Sequence, residues 1–327
     1  MKNTKTDPKP RKSKAKKIFI ISVIVLAILF FAILIAIPAM IIPEFLGQRF
    51  EQEQYDSLDY NISSERITLL TDDSLSLAAW RTRADQTKGT VIILSGIQNP
   101  SVTAFFGYSK MLADNGWDSL LIEMRARSKS EGDEIGFGMT EWLDVKAGVE
   151  FLENDVDIKD LPIVTMGTSM GASTVIIAAG ELPEIDAVIS IAAFSSFPDM
   201  FVDYMSMSGV PRFIGVMDLP FVNMYLGFHY GFDTIKFSPK NGIVKLGDRP
   251  ILMMHSTDDS QVPYSGFEIL QETAKKHQIN TSTFIREGDE HFICYDQYFD
   301  NPAQDTEFSQ AILGFLDENF QFFNCFL

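Results

Sequence analysis

Pro162-Ile163-Val164-Thr165-Met166-Gly167-Thr168-Ser169-Met170-Gly171-Ala172 is the stretch on which the fold turns. The apolar run at 162–166 has the length and branching of a buried strand. Ala172-Ser173-Thr174-Val175-Ile176-Ile177 continues a helix that starts near Met170. Gly-x-Ser-x-Gly is a weak pattern alone, but strand, tight turn, serine and helix in that order is a specific arrangement. The serine sits in a strained turn, and Gly167 and Gly171 leave room for strand and helix to approach. A helix N-terminus beneath it favours developing negative charge. Ser169 is therefore a candidate nucleophile, which needs a base and an acid that orients the base.

Outward from this stretch, short apolar runs alternate with helical patterns. Ile67–Leu70 and Leu75–Trp80 flank Thr71-Asp72-Asp73-Ser74 and predict a hairpin. Further strands are expected at 91–94, 119–122, 162–166, 187–191, 251–254 and 281–285. Helices are expected at about 101–114, 140–153, 170–180, 264–277 and 306–319. Wholly apolar strands alternating with helices imply an α/β fold whose mainly parallel sheet is covered on both faces. One interval, about 195–248, has no core strand and is rich in Phe, Met and Tyr. It predicts a mostly helical cap, held on by most of these residues and with a few of them lining a pocket.

Downstream of Ser169, His291 follows the last expected strand in Glu287-Gly288-Asp289-Glu290-His291-Phe292, where a base could reach the serine. His277 lies among lysines, His229 in the cap and His255 at a strand end, all positions that favour structural roles. The loop Ser256-Thr257-Asp258-Asp259-Ser260 offers two acids, and on chemistry alone either Asp258 or Asp259 could serve. Arg125 and Arg127 could contact an anion, although surface salt bridging is the simpler expectation. Glu141 and Asp144 most simply complement a helix dipole. His291 and Cys294 have metal-like spacing without a second pair to complete a site. No metal or cofactor is expected. Cys294 and Cys325 could pair or remain thiols, and spacing leaves both open.

Gly-x-Ser-Met-Gly-Ala at 167–172, His-x-x-x-Asp-x-x-Val-Pro at 255–263 and Gly-x-x-His at 288–291 resemble the α/β-hydrolase superfamily. Within it the resemblance is to bacterial membrane-anchored hydrolases of the serine aminopeptidase/acyl-peptidase-like group, from about residue 62 to the C-terminus. It implies an α/β-hydrolase fold with Ser169 as nucleophile, His291 as general base and Asp259 as orienting acid, with Asp258 as the fallback. It also implies an oxyanion hole built from the backbone N–H groups of Met170 and Ile97. The chain departs from the family pattern at Ser95-Gly96, where His-Gly is usual, at Arg125–Ser130 and at His255-Ser256. None of these departures removes a member of the expected triad.

The net charge of −17 divides into +7 over residues 1–17 and hence −24 over the rest. So acidic a body repels phosphate backbones, which argues against nucleic-acid binding. Ile18–Ile42 is an uncharged apolar run that reaches about 37 Å as a helix, enough to cross a hydrocarbon core of ~30 Å. It is long for a signal peptide and lacks an Ala-x-Ala site, so an uncleaved single-pass anchor is expected. The basic tail places the N-terminus in the cytoplasm and the body outside. Residues 43–60 read as a solvated acidic linker and 61–327 as the folded domain. With 46% hydrophobic and 22% charged residues the domain can bury a core.

The function expected is that of a membrane-tethered serine hydrolase acting on a small-molecule or peptide acyl substrate. A peptidase of short peptides is the alternative within enzymes, and a binding protein that keeps the fold without catalysis is the alternative outside them.

Overall fold

The computed structural model describes residues 12–46, 49–97 and 100–320. The first helix, α1 (Lys12–Leu46), contains both Pro38 and Pro43 and is long and apolar enough to cross a membrane. The sequence put both prolines at the far end of the apolar run, but the helix continues past them to Leu46. Residues 14–33 are exposed throughout, whereas Leu34, Pro38, Ile42 and Leu46 form a buried row at four-residue spacing. That spacing is one face of a helix, so the last third of α1 packs on the body.

In place of the solvated linker expected at 43–60, the chain has the end of α1 and then a bound segment. Arg49 donates through Nη2 to the Ser128 carbonyl at 2.7 Å. Phe50 exchanges backbone hydrogen bonds with Ala126 and Ser128, at 3.2 and 2.9 Å. The Gln52 N–H donates to Ser128 Oγ at 2.8 Å and the Tyr55 N–H to Thr103 Oγ1 at 3.0 Å. The segment is a strap whose main-chain groups are satisfied largely by the 125–130 loop, a pairing its acidic composition does not encode.

The expected hairpin is present as β1 (Ser64–Leu70) and β2 (Ser76–Thr82), antiparallel from Ser64↔Thr82 to Leu70↔Ser76. After it come β3 (Thr90–Leu94), α2 (Phe106–Ala113), β4 (Asp118–Ile122), α3 (Trp142–Glu153), β5 (Ile163–Thr168), α4 (Met170–Glu181) and β6 (Ala187–Ile191). The strand order, continued by the two strands β7 (Ile251–Ser256) and β8 (Thr281–Arg286), is β1-β2-β4-β3-β5-β6-β7-β8. Every pairing beyond β2 and β4 is parallel.

β3, β4, β5, β6 and β7 are buried at every position, as the apolar runs within them predict. Alternate residues of β3 feed opposite layers. Ile92 and Leu94 join the core beneath α3 and α4, while Val91 and Ile93 join the core formed with α2 and the C-terminal helix. Each such side chain contributes roughly 1.5–3 kcal/mol on burial. The chain steps from β3 to β4 on one side and returns to β5 on the other, so a crevice opens beyond Leu94 and Gly167, the paired strand ends. Ligands bind at such switch points in open α/β sheets.

Between β6 and β7 lie α5 (Phe197–Met207), α6 (Arg212–Tyr230) and α7 (Pro239–Val244). The interval read as one cap divides. α5 and α6 pack on each other above the strand ends, and α6 also packs on α1. α7 instead lies on α4, so close that a Cβ on Gly180 would fall 2.6 Å from the Gly242 Cα. The domain closes with α8 (Tyr264–Lys276) and α9 (Thr306–Phe320).

Candidate active site

Ser169 stands between β5 and α4 with φ 55° and ψ −120°, a conformation that non-glycine residues rarely hold. Its N–H donates to the Ile191 carbonyl at 2.8 Å, and its carbonyl accepts from the Ser173 N–H at 3.1 Å. The flanking glycines are needed for space. A Cβ on Gly167 would lie 2.3 Å from the Gly171 carbonyl, and one on Gly171 would lie 2.4 Å from the Ser95 carbonyl. Strand, helix and the loop after β3 therefore meet around the serine. Gly96 faces it too, since a Cβ there would be 3.4 Å from the Ser169 Cβ. The position where the family usually has a His-Gly pair thus still holds a small residue against the serine.

The base and acid expected from the sequence come together. His291 Nδ1 lies 2.8 Å from Asp259 Oδ2. Asp259 Oδ1 accepts from the Gln261 and Val262 N–H groups at 2.8 and 2.9 Å. Burial opposes ionisation of Asp259, yet the hydrogen bond with His291, the imidazole's charge and the two backbone donors outweigh it and hold the carboxyl below its usual range. The fallback, Asp258, is exposed and accepts from Thr257 Oγ1 at 3.0 Å, so it does not meet His291.

Two loops hold this pair. The Ser260 N–H donates to Asp289 Oδ1 at 2.9 Å, and the Gly288 N–H donates to Thr257 Oγ1 at 3.1 Å. His255, fully buried, has Nε2 2.9 Å from the Val262 carbonyl and 3.8 Å from Asp259 Oδ2. Burial depresses its pKa, which favours a neutral ring that braces the acid's loop. The structural role expected of His255 fits this packing. His229 sits on the cap with Nε2 2.9 Å from Glu134 Oε2, joining α6 to the 131–139 loop.

A cavity of about 200 Å³ opens at Ser169. Ile97 and Met170 line it, together with Phe137, Phe194, Met200, Tyr204 and Met207. Met170 begins α4, so its N–H has no intrahelical partner. The cap residues in the wall are among those the sequence marked as apolar. Phe137 escaped that reading. Its φ of 51° lies just before Gly138 at φ 90°, and this adjacency is the local signal that a turn presents it.

Other sequence expectations are corrected. Arg125 and Arg127 are buried rather than engaged in surface salt bridges. Arg125 pairs with Asp144 at 2.8 Å and Asp73 at 2.7 Å. Arg127 lies over the Phe50 ring at 4.6 Å, and burial lowers its pKa to about 10. Glu141 and Asp144 do stand at the N-cap and in the first turn of α3, as the sequence leads one to expect, but both are buried. Glu141 accepts from the Gly136 and Gly138 N–H groups at 2.5 and 2.7 Å, which shapes the loop carrying Phe137. Cys294 is buried, and Cys325 lies outside the described residues. Among the described residues no three His, Cys, Asp or Glu side chains converge as a metal site.

This sheet order, with a serine on a strained turn after β5 and a paired Asp and His after β7 and β8, is that of the α/β-hydrolase fold, and the chain has that fold. No family model matches it. It is similar to the uncharacterised protein YqkD of Bacillus subtilis, 27% identical over 234 residues, covering 68% of this chain and 74% of that one. Among solved structures it is similar to the Pyrococcus furiosus esterase Pf2001, with a TM-score of 0.64 and 20% identity over 84% of this chain and 99% of that one. The Pyrococcus horikoshii acylaminoacyl peptidase matches with a TM-score of 0.59 and 14% identity over 83% of this chain and 44% of that one.

Proposed function

We propose that this chain is a membrane-anchored serine hydrolase that cleaves an ester, thioester or amide through an acyl-enzyme on Ser169. The observation that carries the reading is the Asp259–His291 pair, 2.8 Å apart, beside a cavity with the strained Ser169 in its wall. With Nδ1–H donated to Asp259, the Nε2 lone pair of His291 is free to accept a proton. Ser169 Oγ attacks the carbonyl carbon as its proton passes to Nε2. The oxyanion is met by the N–H groups of Met170 and Ile97. The leaving group departs with the proton from Nε2. Water, deprotonated in turn by His291, then releases the acid and restores Ser169.

The apolar wall of Phe137, Phe194, Met200 and Met207 favours an acyl chain, and so an ester or thioester, over a charged peptide terminus. α1 serves as the anchor, with the basic tail in the cytoplasm and the hydrolase domain outside. The test is a panel of p-nitrophenyl acyl esters and aminoacyl-anilides against the full chain and its Ser169→Ala variant. Ester turnover that Ser169→Ala abolishes is expected. Turnover of anilides alone would replace the ester preference with the peptidase alternative, and turnover unaffected by Ser169→Ala would overturn the mechanism.

A further inference from the structure

The ring of Phe31 on α1 lies 6.4 Å from that of Phe221 on α6. A hydrocarbon layer of about 30 Å takes up roughly twenty residues of helix at about 1.5 Å each, so counted from Ile18 it ends near Ile37. Phe31 is then about 9 Å inside it, and Phe221, 6.4 Å from Phe31, also falls inside it.

α6 has the surface for that position. Phe213 and Phe228 are 64% and 76% exposed, and Val216, Met217 and Met224 are exposed between them. From 213 to 228 the one charged residue is Asp218, which is fully buried. The Asn223 amide is satisfied internally by the Leu219 carbonyl at 3.0 Å. Among the described residues, the contacts of α6 with charged side chains stand at its two ends, where Arg212 pairs with Asp203 and His229 hydrogen-bonds with Glu134. An apolar stretch of this extent in water would be a liability, but in lipid it costs nothing. Met207, at the end of α5 and shortly before α6 begins, is 55% exposed and also lines the cavity at Ser169.

We propose that α6 lies in the outer leaflet of the membrane that α1 spans, and that the Ser169 pocket takes an acyl ester dissolved in that leaflet through a mouth at Met207. This rests on the anchor and hydrolase readings above. It assigns the cap a membrane-facing role and narrows the substrate to a lipid-phase ester.

The test is photolabelling of the full chain in phosphatidylcholine vesicles that contain phosphatidylcholine with a diazirine on its acyl chain. Adducts mapped by mass spectrometry are expected both in 18–42 and in 212–230. Adducts in 18–42 with none in 212–230 would overturn the proposal while leaving the anchor intact. Adducts in neither would remove the anchor reading and the proposal with it. In the same vesicles, turnover of a long-chain p-nitrophenyl ester is expected to fall at least tenfold in the Phe213→Glu/Phe228→Glu variant, with its melting curve in detergent matching the parent. Unchanged turnover in a folded variant would overturn the route through the leaflet.

Discussion

His291 Nδ1 and Asp259 Oδ2 are 2.8 Å apart, and the other oxygen of that carboxylate is held by the N–H groups of Gln261 and Val262. The carboxylate is thus held by backbone on one oxygen and by the imidazole on the other. In the proposed mechanism the second ring nitrogen works as the base.

Replacing Asp259 by Asn removes the charge and the tautomer preference while keeping the shape. Ester turnover at pH 8 is expected to fall by roughly 10⁴-fold, the cost of the equivalent change in serine proteases. Asp258→Asn, at an exposed position, is expected to leave turnover unchanged. Equal losses in the two variants would contradict the assignment of the acid.

The same carboxylate makes stability depend on pH. Its native pKa lies below the ordinary aspartate value of about 3.9, so its contribution is fully present above that value and is lost as pH falls through the lower native one. Urea midpoints of the parent and Asp259→Asn are therefore expected to differ above about pH 4 and to converge below it. A gap that widens as the pH falls below about 4 would have the wrong sign.

Gly167→Ala would place a Cβ 2.3 Å from the Gly171 carbonyl, where the contact is with backbone and cannot yield cheaply. Overpacking of this kind costs about 1–3 kcal/mol, or more, and should also displace Ser169. Both the urea midpoint and the turnover should drop. Gly314→Ala, in α9 with nothing within 4 Å of its Cβ, should instead raise stability by about 0.4–1 kcal/mol.

The strap at 49–60 makes a further prediction. Phe50→Ala removes the ring beneath the buried Arg127 guanidinium, whose Nε and Nη2 have no hydrogen-bond partner among the described residues. A loss of about 1–3 kcal/mol in urea unfolding is expected from the lost packing and cation–π contact. A chain that starts at residue 61 should be less stable than one that starts at 49. Equal midpoints would mean that the strap is only laid on the surface.

What could be read in the sequence and what could not have separate physical causes. Val91–Leu94 and Ala187–Ile191 announce themselves because strands buried on both faces need mainly apolar runs. The strained turn at Ser169 announces itself through the two glycines that its neighbours crowd. The pairing of Asp259 with His291 was legible from the loop register of the resemblance, while chemistry alone left Asp258 open. The strap was not legible, because main-chain hydrogen bonds such as Phe50 to Ala126 carry no side-chain signature. Nor was the burial of Arg125, whose compensating partners Asp73 and Asp144 lie on either side of it in the chain and meet only in the fold. The split of the cap interval was hidden for a similar reason, since α7 docks through the small contact of Gly242 on Gly180.

The most direct test of the central claim is labelling of the full chain in detergent with a fluorophosphonate probe, alongside Ser169→Ala and His291→Ala. One adduct is expected, mapped by mass spectrometry to Ser169, absent from Ser169→Ala and strongly slowed in His291→Ala. A folded parent chain that takes no label, or label that persists in Ser169→Ala, would contradict a nucleophilic Ser169.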